Sequence, residues 1–427
     1  MNKILYLPTR FFPAISGAEF YIQRIAEIFT KSFNYEVDIY TSDAIDFKAL
    51  KDPKGKIIKR SDKNYYSVNQ LQVNRYSIDY SLSIEEQMQF IKKLSYYSKL
   101  TLSDASLRDL LKNGPYLRNL IDYFLEKPNL EYDIVHSTFF PYFNLLISLI
   151  VGKKINKPVV CTPFFHFSNP RYMNSAPVEV LKKFDLLIAC TNLEKKFLIE
   201  NIGIPEKKVK VISMGVDYEK FNSKKGKDIY CFKEKFFKKN EKRYKMVLFC
   251  GYKNYEKGAL SILKAIPYII EKYKKLYFVF IGPSTFAFNR ELSKIQKIKN
   301  VRILNFSPDN LTGYFDKKKI AAFKEADIYL MPSRSDAFGI AFLEAWAAGK
   351  PVIGSDIGAT PEVIRNNIDG LLVSFDNHKD IAEKVLTLIK NKKLRRKIGL
   401  AGNAKVVERY SWNQIAKKTD ATYQDLL

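Results

Sequence analysis

The stretch SRSDAFGIAFLEAWAAG, Ser333 to Gly349, with KPVIGSD, Lys350 to Asp356, after it, decides how this chain is read. An apolar helix entered through Gly339 follows a loop carrying Asp336, and a strand-like run follows the helix. Such a helix start presents backbone N–H groups with no partner inside the helix, and these favour an anion. Asp336 and, within the helix, Glu344 add two carboxylates that accept hydrogen bonds from hydroxyls. A ligand both anionic and polyhydroxylated suits that set. A plainer reading makes Asp336 a helix cap and Glu344 a solvated position. Against it, Glu344 is flanked by Phe342, Leu343, Ala345 and Trp346 in a mostly apolar helix.

Working outward, the second half of the chain alternates apolar runs with helix-length segments. Tyr244 to Gly251, Lys275 to Gly282, Val301 to Phe306, Ala326 to Ser333, Lys350 to Asp356 and Gly370 to Phe375 read as strands, and Ala259 to Tyr273 as a helix. The first half has the same rhythm. Lys3 to Leu7, Tyr35 to Ser42, Tyr132 to Ser137, Lys157 to Thr162, Phe184 to Cys190 and Lys208 to Ser213 read as strands buried on both faces. Between the first two lies a helix with Phe20, Ile22, Ile25, Ala26, Ile28 and Phe29 at helical spacing. At 427 residues the chain exceeds what one core usually serves. An α/β fold of two doubly wound, Rossmann-like domains facing a cleft is therefore expected.

The expected division is 1–214, 215–410 and a C-terminal helix, 411–427, packing back on the first domain. The Lys-rich, irregular 222–244 marks the boundary region. Residues 50–130 form an insertion, with a strand at Leu71 to Ser77 and helices at Ile84 to Leu100 and from Ser103, as its cap, to Phe124, broken near Gly114 and Pro115.

Missing motifs narrow the chemistry. No two glycines are separated by a single residue and no GxxxxGK[ST] occurs, which disfavours dinucleotide and P-loop binding. No D-x-D pair is present, and His136, His166 and His378 are the only histidines, so a metal site is not expected. His136 reads as capping a strand end near the cleft, and His378, in DNHKD, as a surface residue. Neutralising a diphosphate then falls to backbone N–H groups and isolated cations. Gly251 to Gly258, GYKNYEKG, follows a strand and offers Lys257 with Gly258, and Lys253 beside them. In the first domain Gly17 reads equally as a close approach of backbone to an anion or as an ordinary turn.

Cys161, Cys190, Cys231 and Cys250 lack CxxC spacing and read as buried, reduced thiols. The first residues lack the pattern of a secretory signal, and LLISLIVG, Leu145 to Gly152, is too short to span a bilayer. A cytoplasmic protein is expected. The net charge of +26, with +15 in residues 201–300, suits an anionic membrane surface or phosphorylated substrate, or a compositional bias toward Lys. The basic residues are scattered and mostly Lys, without the Arg clusters of a nucleic-acid groove, so no nucleic-acid partner is expected.

The run Ser333 to Val373, with its D-x7-E core, GKPVIGSD, GATPEVI and NIDGLLV, resembles the donor-binding half of the retaining GT-B glycosyltransferases of family 4. The rest of the chain supplies P-x-x-SGAE, DIVHS, VKVISMGVDYEKF, the KG pair and YSWNQIAKK in the family's order. The resemblance implies transfer of a sugar from a nucleotide diphosphate to an acceptor hydroxyl, with retention and without a metal or cofactor. It implies that Glu344 holds the ribose and Asp336 the sugar hydroxyls. Backbone at Phe338, Gly339 and Ile340, with Lys257, takes the diphosphate beyond Gly251. Gly17 lets the first loop approach phosphate or acceptor, and His166 lies beside the reacting sugar.

Four positions depart from the family pattern. Asp336 stands for Glu, one methylene shorter, which leaves the donor sugar open. Tyr252 stands for Arg, leaving the positive charge to Lys257 and Lys253. Gly17-Ala18 stands for Gly-Gly, and His166 comes slightly late. A carbohydrate or lipid-linked acceptor is implied, in glycan, glycolipid or polysaccharide synthesis. A nucleotide-sugar epimerase on the same domains and a non-catalytic nucleotide-sugar-binding subunit are the rival readings.

Overall fold

The computed structural model describes the chain apart from residues 60, 63, 64, 174, 175 and 223–230. The Lys-rich stretch expected to mark the boundary falls partly on 223–230, outside the described residues. The chain divides into two compact units, Met1–Ser213 with Asn413–Leu427, and Met214–Trp412.

The first unit holds β1 (Lys3–Pro8), β2 (Glu36–Ser42), β3 (Ser67–Val68), β4 (Leu71–Tyr76), β5 (Ile134–Thr138), β6 (Val159–Thr162), β7 (Leu186–Ala189) and β8 (Val209–Val211). Their order across the sheet is β3-β4-β2-β1-β5-β6-β7-β8. Every pairing is parallel except β3 with β4. Parallel strands need both faces covered, which is why β1, β5, β6 and β7 are almost uninterrupted runs of buried residues. The helix Gly17–Ser32 lays Phe20, Ile22, Ile25, Ala26, Ile28 and Phe29 into that core, as its spacing predicts.

The insertion differs in one place from its reading. The segment expected as a helix from Ile84 to Leu100 is two helices, Ile84–Lys92 and Ser95–Ser98, because Leu94 turns to extended dihedrals and packs on the core. The next helix, Asp104–Asn113, is capped by Ser103 and separated from Arg118–Glu126 at Gly114.

His136 does not cap a strand end. It sits within β5, fully buried, where Nε2 lies 2.9 Å from Thr162 Oγ1 and Nδ1 bonds Tyr423 Oη. Burial pulls its pKa down to about 3, so the ring is neutral. Tyr423, on the C-terminal helix Trp412–Gln424, also meets Tyr6 Oη at 3.1 Å, and Asp420 accepts from Tyr35 Oη at 2.7 Å.

In the second unit β9 (Lys245–Cys250), β10 (Leu276–Ile281), β11 (Ile303–Phe306), β12 (Ile328–Met331), β13 (Val352–Ser355) and β14 (Gly370–Val373) form an all-parallel sheet, ordered β11-β10-β9-β12-β13-β14. Strand order reverses direction between β9 and β12, and crevices beyond the carboxyl ends at such a point are where doubly wound folds bind ligands. The helix Ile340–Ala347 fills the space behind, with every residue but Ala341 buried. It is apolar all round because it is covered on the far side by the helix Lys392–Arg409, where Asn403 donates to Trp346 O at 2.9 Å.

None of the four cysteines is in a disulfide among the described residues; Cys161 and Cys190 are buried, whereas Cys231 and Cys250 are half-buried. Among the described residues no helix is long and apolar enough to cross a membrane, and no three His, Cys, Asp or Glu side chains group to hold a metal.

Candidate active site

Two loops meet beyond the carboxyl ends of β9 and β12. The first, residues 251–258, ends at Gly258, the cap of the helix Ala259–Lys272, with φ +72°. A Cβ there would lie 2.2 Å from Pro332 O in the second loop, so only glycine lets the two backbones approach this closely. The second loop runs from Pro332 to Gly339, which caps Ile340–Ala347 at φ +91°.

Backbone and side chains strap these loops together. Arg334 N and Ser335 N both donate to Glu256 O, at 2.8 and 3.3 Å, and the Arg334 guanidinium pairs with the Glu256 carboxylate. Lys257 Nζ lies 2.7 Å from Asp336 Oδ2 and donates to Ser335 O at 3.3 Å. Asp336 therefore does not cap the helix; that position belongs to Gly339. The side chains of Lys257 and Asp336 keep 21% and 12% of their exposure, so a ligand can reach both. Ser333 Oγ, at the head of the loop, is buried with no hydrogen-bond partner among the described residues.

One turn into the helix, Glu344 is 2% exposed and its Oε1 accepts from Lys319 Nζ at 2.8 Å. A solvated role for Glu344 is excluded by that burial. Phe338 is also buried, with its ring centre 5.6 Å from that of Tyr410, so the helix start is held from behind.

Lys253 and Lys257 are not brought together. Lys253 is fully buried, and its Nζ donates to Asn305 Oδ1 at 2.5 Å and Phe306 O at 3.0 Å, beyond the end of β11. Burial among neutral acceptors lowers its pKa to about 8. Its charge is spent on the neighbouring strand end, and among the described residues Lys257 is the cation paired with Asp336. Tyr252, in the place where a basic residue is usual for the resemblance, is 45% exposed. Gly251 closes β9 through Gly251 N to Ile281 O at 2.9 Å. His378 opens the helix His378–Lys390, where its Nε2 lies 3.1 Å from Asp376 Oδ1 and the side chain is half-buried.

In the first unit Gly17 opens the helix Gly17–Ser32 after the loop from β1. Two residues on, Glu19 is buried and paired with Arg10 Nη2 at 2.8 Å, so a carboxylate already occupies the first turn of that helix. His166 lies half-buried in the loop after β6, its ring 5.1 Å from that of Tyr172 and 6.3 Å from that of Phe139. Beside it Glu194, fully buried, accepts from Phe165 N at 2.8 Å and Cys190 N at 2.7 Å.

Lys319, Arg10, Glu19 and Glu194 escaped the sequence reading. For Lys319 a signal exists. In DKKKIAAFKEAD it sits at the spacing of Ala322 and Phe323, on the buried stripe of the helix Lys317–Glu325, while Lys317 and Lys318 lie off it.

Comparison with known proteins follows the same two halves. Residues 232–405 match the family model described as glycosyl transferases group 1, and residues 15–220 match glycosyltransferase family 4. An uncharacterized glycosyltransferase of Methanocaldococcus jannaschii is 31% identical over 223 residues, 52% of this chain and 55% of the relative. A phosphatidyl-myo-inositol mannosyltransferase of Mycobacterium leprae is 32% identical over 182 residues, 42% of this chain and 46% of the relative. The chain thus spans about half the length of these curated relatives. Among solved structures, Anabaena HepE in complex with UDP and glucose superposes with a TM-score of 0.73 over 100% of both chains at 16% identity, a likeness of fold.

Proposed function

Because this chain belongs to the GT-B glycosyltransferases of group 1 and family 4, we propose that it moves a sugar from a nucleoside diphosphate sugar to an acceptor hydroxyl. The observation that carries this is the meeting of Lys257, Asp336 and the start of the helix Ile340–Ala347 where the strand order of the second unit reverses. A cation and free backbone N–H groups at that place neutralise the diphosphate that departs as the glycosidic bond breaks. Asp336 accepts from hydroxyls of the transferred sugar, and Glu344 from those of the ribose. When the donor enters, Lys257 exchanges Asp336 for a phosphate oxygen, which frees the carboxylate for the sugar.

Charge neutralisation in this scheme uses no metal or cofactor, and the anomeric configuration is retained. His166 and Gly17, in the first unit, are assigned to the reacting sugar and the acceptor. The acceptor is a carbohydrate or a lipid-linked molecule, in line with the glycolipid-forming name of one relative. The net charge of +26 supports work at the cytoplasmic face of an anionic membrane.

The test is a panel of uridine, guanosine and adenosine diphosphate sugars, assayed for release of the nucleoside diphosphate without acceptor. One of them should be hydrolysed slowly by the wild type and not by Asp336→Asn. Release from none, with no binding, counts against the proposal.

A further inference from the structure

Lys319 is a buried cation close to the proposed donor site, and the proposed transfer gives it no role. Its ammonium sits 3.7 Å from the ring centre of Tyr314 and 5.9 Å from those of Phe221 and Phe323, three aromatic faces that hold a cation without neutralising it. Its backbone is fixed as well. Asp316 caps the helix by accepting from Lys318 N and Lys319 N, and is itself held by Thr312. The side chain thus has one direction open to it, and there it meets Glu344 Oε1 at 2.8 Å.

Resting on the proposed role of Glu344 as the ribose acceptor, we propose that Lys319 is a positioning residue: through its buried ion pair it holds the Glu344 side chain turned so that the carboxylate meets the ribose hydroxyls. A buried carboxylate is held in place by the cation it pairs with, and without that partner it turns to whatever donor remains.

Among the described residues, no other group around Glu344 supplies a cation to it. Tyr314, Cys250 at the end of β9 and Tyr329 on β12 are the titratable neighbours. Burial pushes the Cys250 thiol up to about 12 and both phenols well above their ordinary range, so all three are neutral. On the side of the helix Lys392–Arg409, Lys405 is engaged by Asp369 Oδ2 at 3.2 Å and Val363 O. Lys253 bonds Asn305 and Phe306, and Lys257 pairs with Asp336.

The experiment titrates uridine, guanosine and adenosine diphosphates in turn into wild type, Lys319→Met and Lys319→Arg by calorimetry, with thermal melts alongside. For the nucleotide that the wild type binds, folded Lys319→Met should bind about tenfold or more weakly. Lys319→Arg, which keeps the charge, should bind within about threefold of the wild type. Unaltered binding by folded Lys319→Met, or a loss in folded Lys319→Arg as large as in Lys319→Met, would overturn the inference.

Where Lys319→Met does not fold, the pair is read from stability. Lys319→Met/Glu344→Gln should melt above either single variant, and a double variant no more stable than the singles contradicts the pairing. Failure of the wild type to bind any of the three nucleotides removes the donor reading itself, a result distinct from a wild type that binds beside an unaltered variant.

Discussion

Two Lys–carboxylate pairs in the second unit have carboxylates eight residues apart in the chain, and they differ in almost everything but the length of the contact. Lys257 and Asp336 join two loops at 2.7 Å and keep 21% and 12% exposure, whereas Lys319 and Glu344 join two helices at 2.8 Å with 8% and 2%. The more accessible a pair, the less net free energy holds it and the more readily it exchanges partners; a buried pair is costly to break because either half is left charged in a dry place. The first is thus suited to opening for a diphosphate and the second to staying fixed. In the proposed transferase the loop pair handles what changes during the reaction, and the helix pair holds what does not.

The strongest challenge to this comparison is to break the buried pair. Lys319→Met should cost about 3–5 kcal/mol of stability, seen as a lower denaturation midpoint in urea. A loss below about 1 kcal/mol would place the pair in the same class as the loop pair.

A buried polar group in the first unit sharpens the same point through pH. His136 has a folded pKa of about 3, far below its ordinary value. Between those values the unfolded chain binds the extra proton, so stability is fully present above about pH 6.5 and is lost as pH falls. This group alone contributes a slope of up to about 1.4 kcal/mol per pH unit. His136→Asn should therefore lose stability less steeply than the wild type between about pH 6 and pH 4, in urea titrations at each pH. Equal slopes would mean that the ring charges in place.

The smallest effect is expected at the part-buried loop pair. Asp336→Asn should change stability by less than about 1 kcal/mol while abolishing sugar transfer. A large fall in melting temperature would show that the loop contact is a structural clamp instead.

Much of the fold was legible because parallel strands buried on both faces leave uninterrupted apolar runs, as at Lys245–Cys250 and Leu276–Ile281. Ile84–Lys92 was legible as a helix but not its end, since Leu94 leaves the helix to meet a core that no local pattern announces. The site divides in the same way. Asp336, Gly339 and Glu344 lie within one short stretch and could be read together, and Lys257 stood out by its Gly258 neighbour. Lys319, Glu19 and Glu194 owe their roles to partners 25, 9 and 29 residues away. In a chain with 71 basic residues nothing local marks which single lysine is dry. Lys253 shows the converse: its place in the sequence suggested the ligand, and the end of β11 captured it.

The central claim is that Glu344 grips the nucleotide of a diphosphate sugar, and calorimetric titration of the matching nucleoside diphosphate into wild type and Glu344→Gln tests it most directly. The charge-assisted contact predicts a loss of about 1.5–3 kcal/mol in the variant, with its fold intact by circular dichroism. Equal affinity in the two proteins would contradict the account.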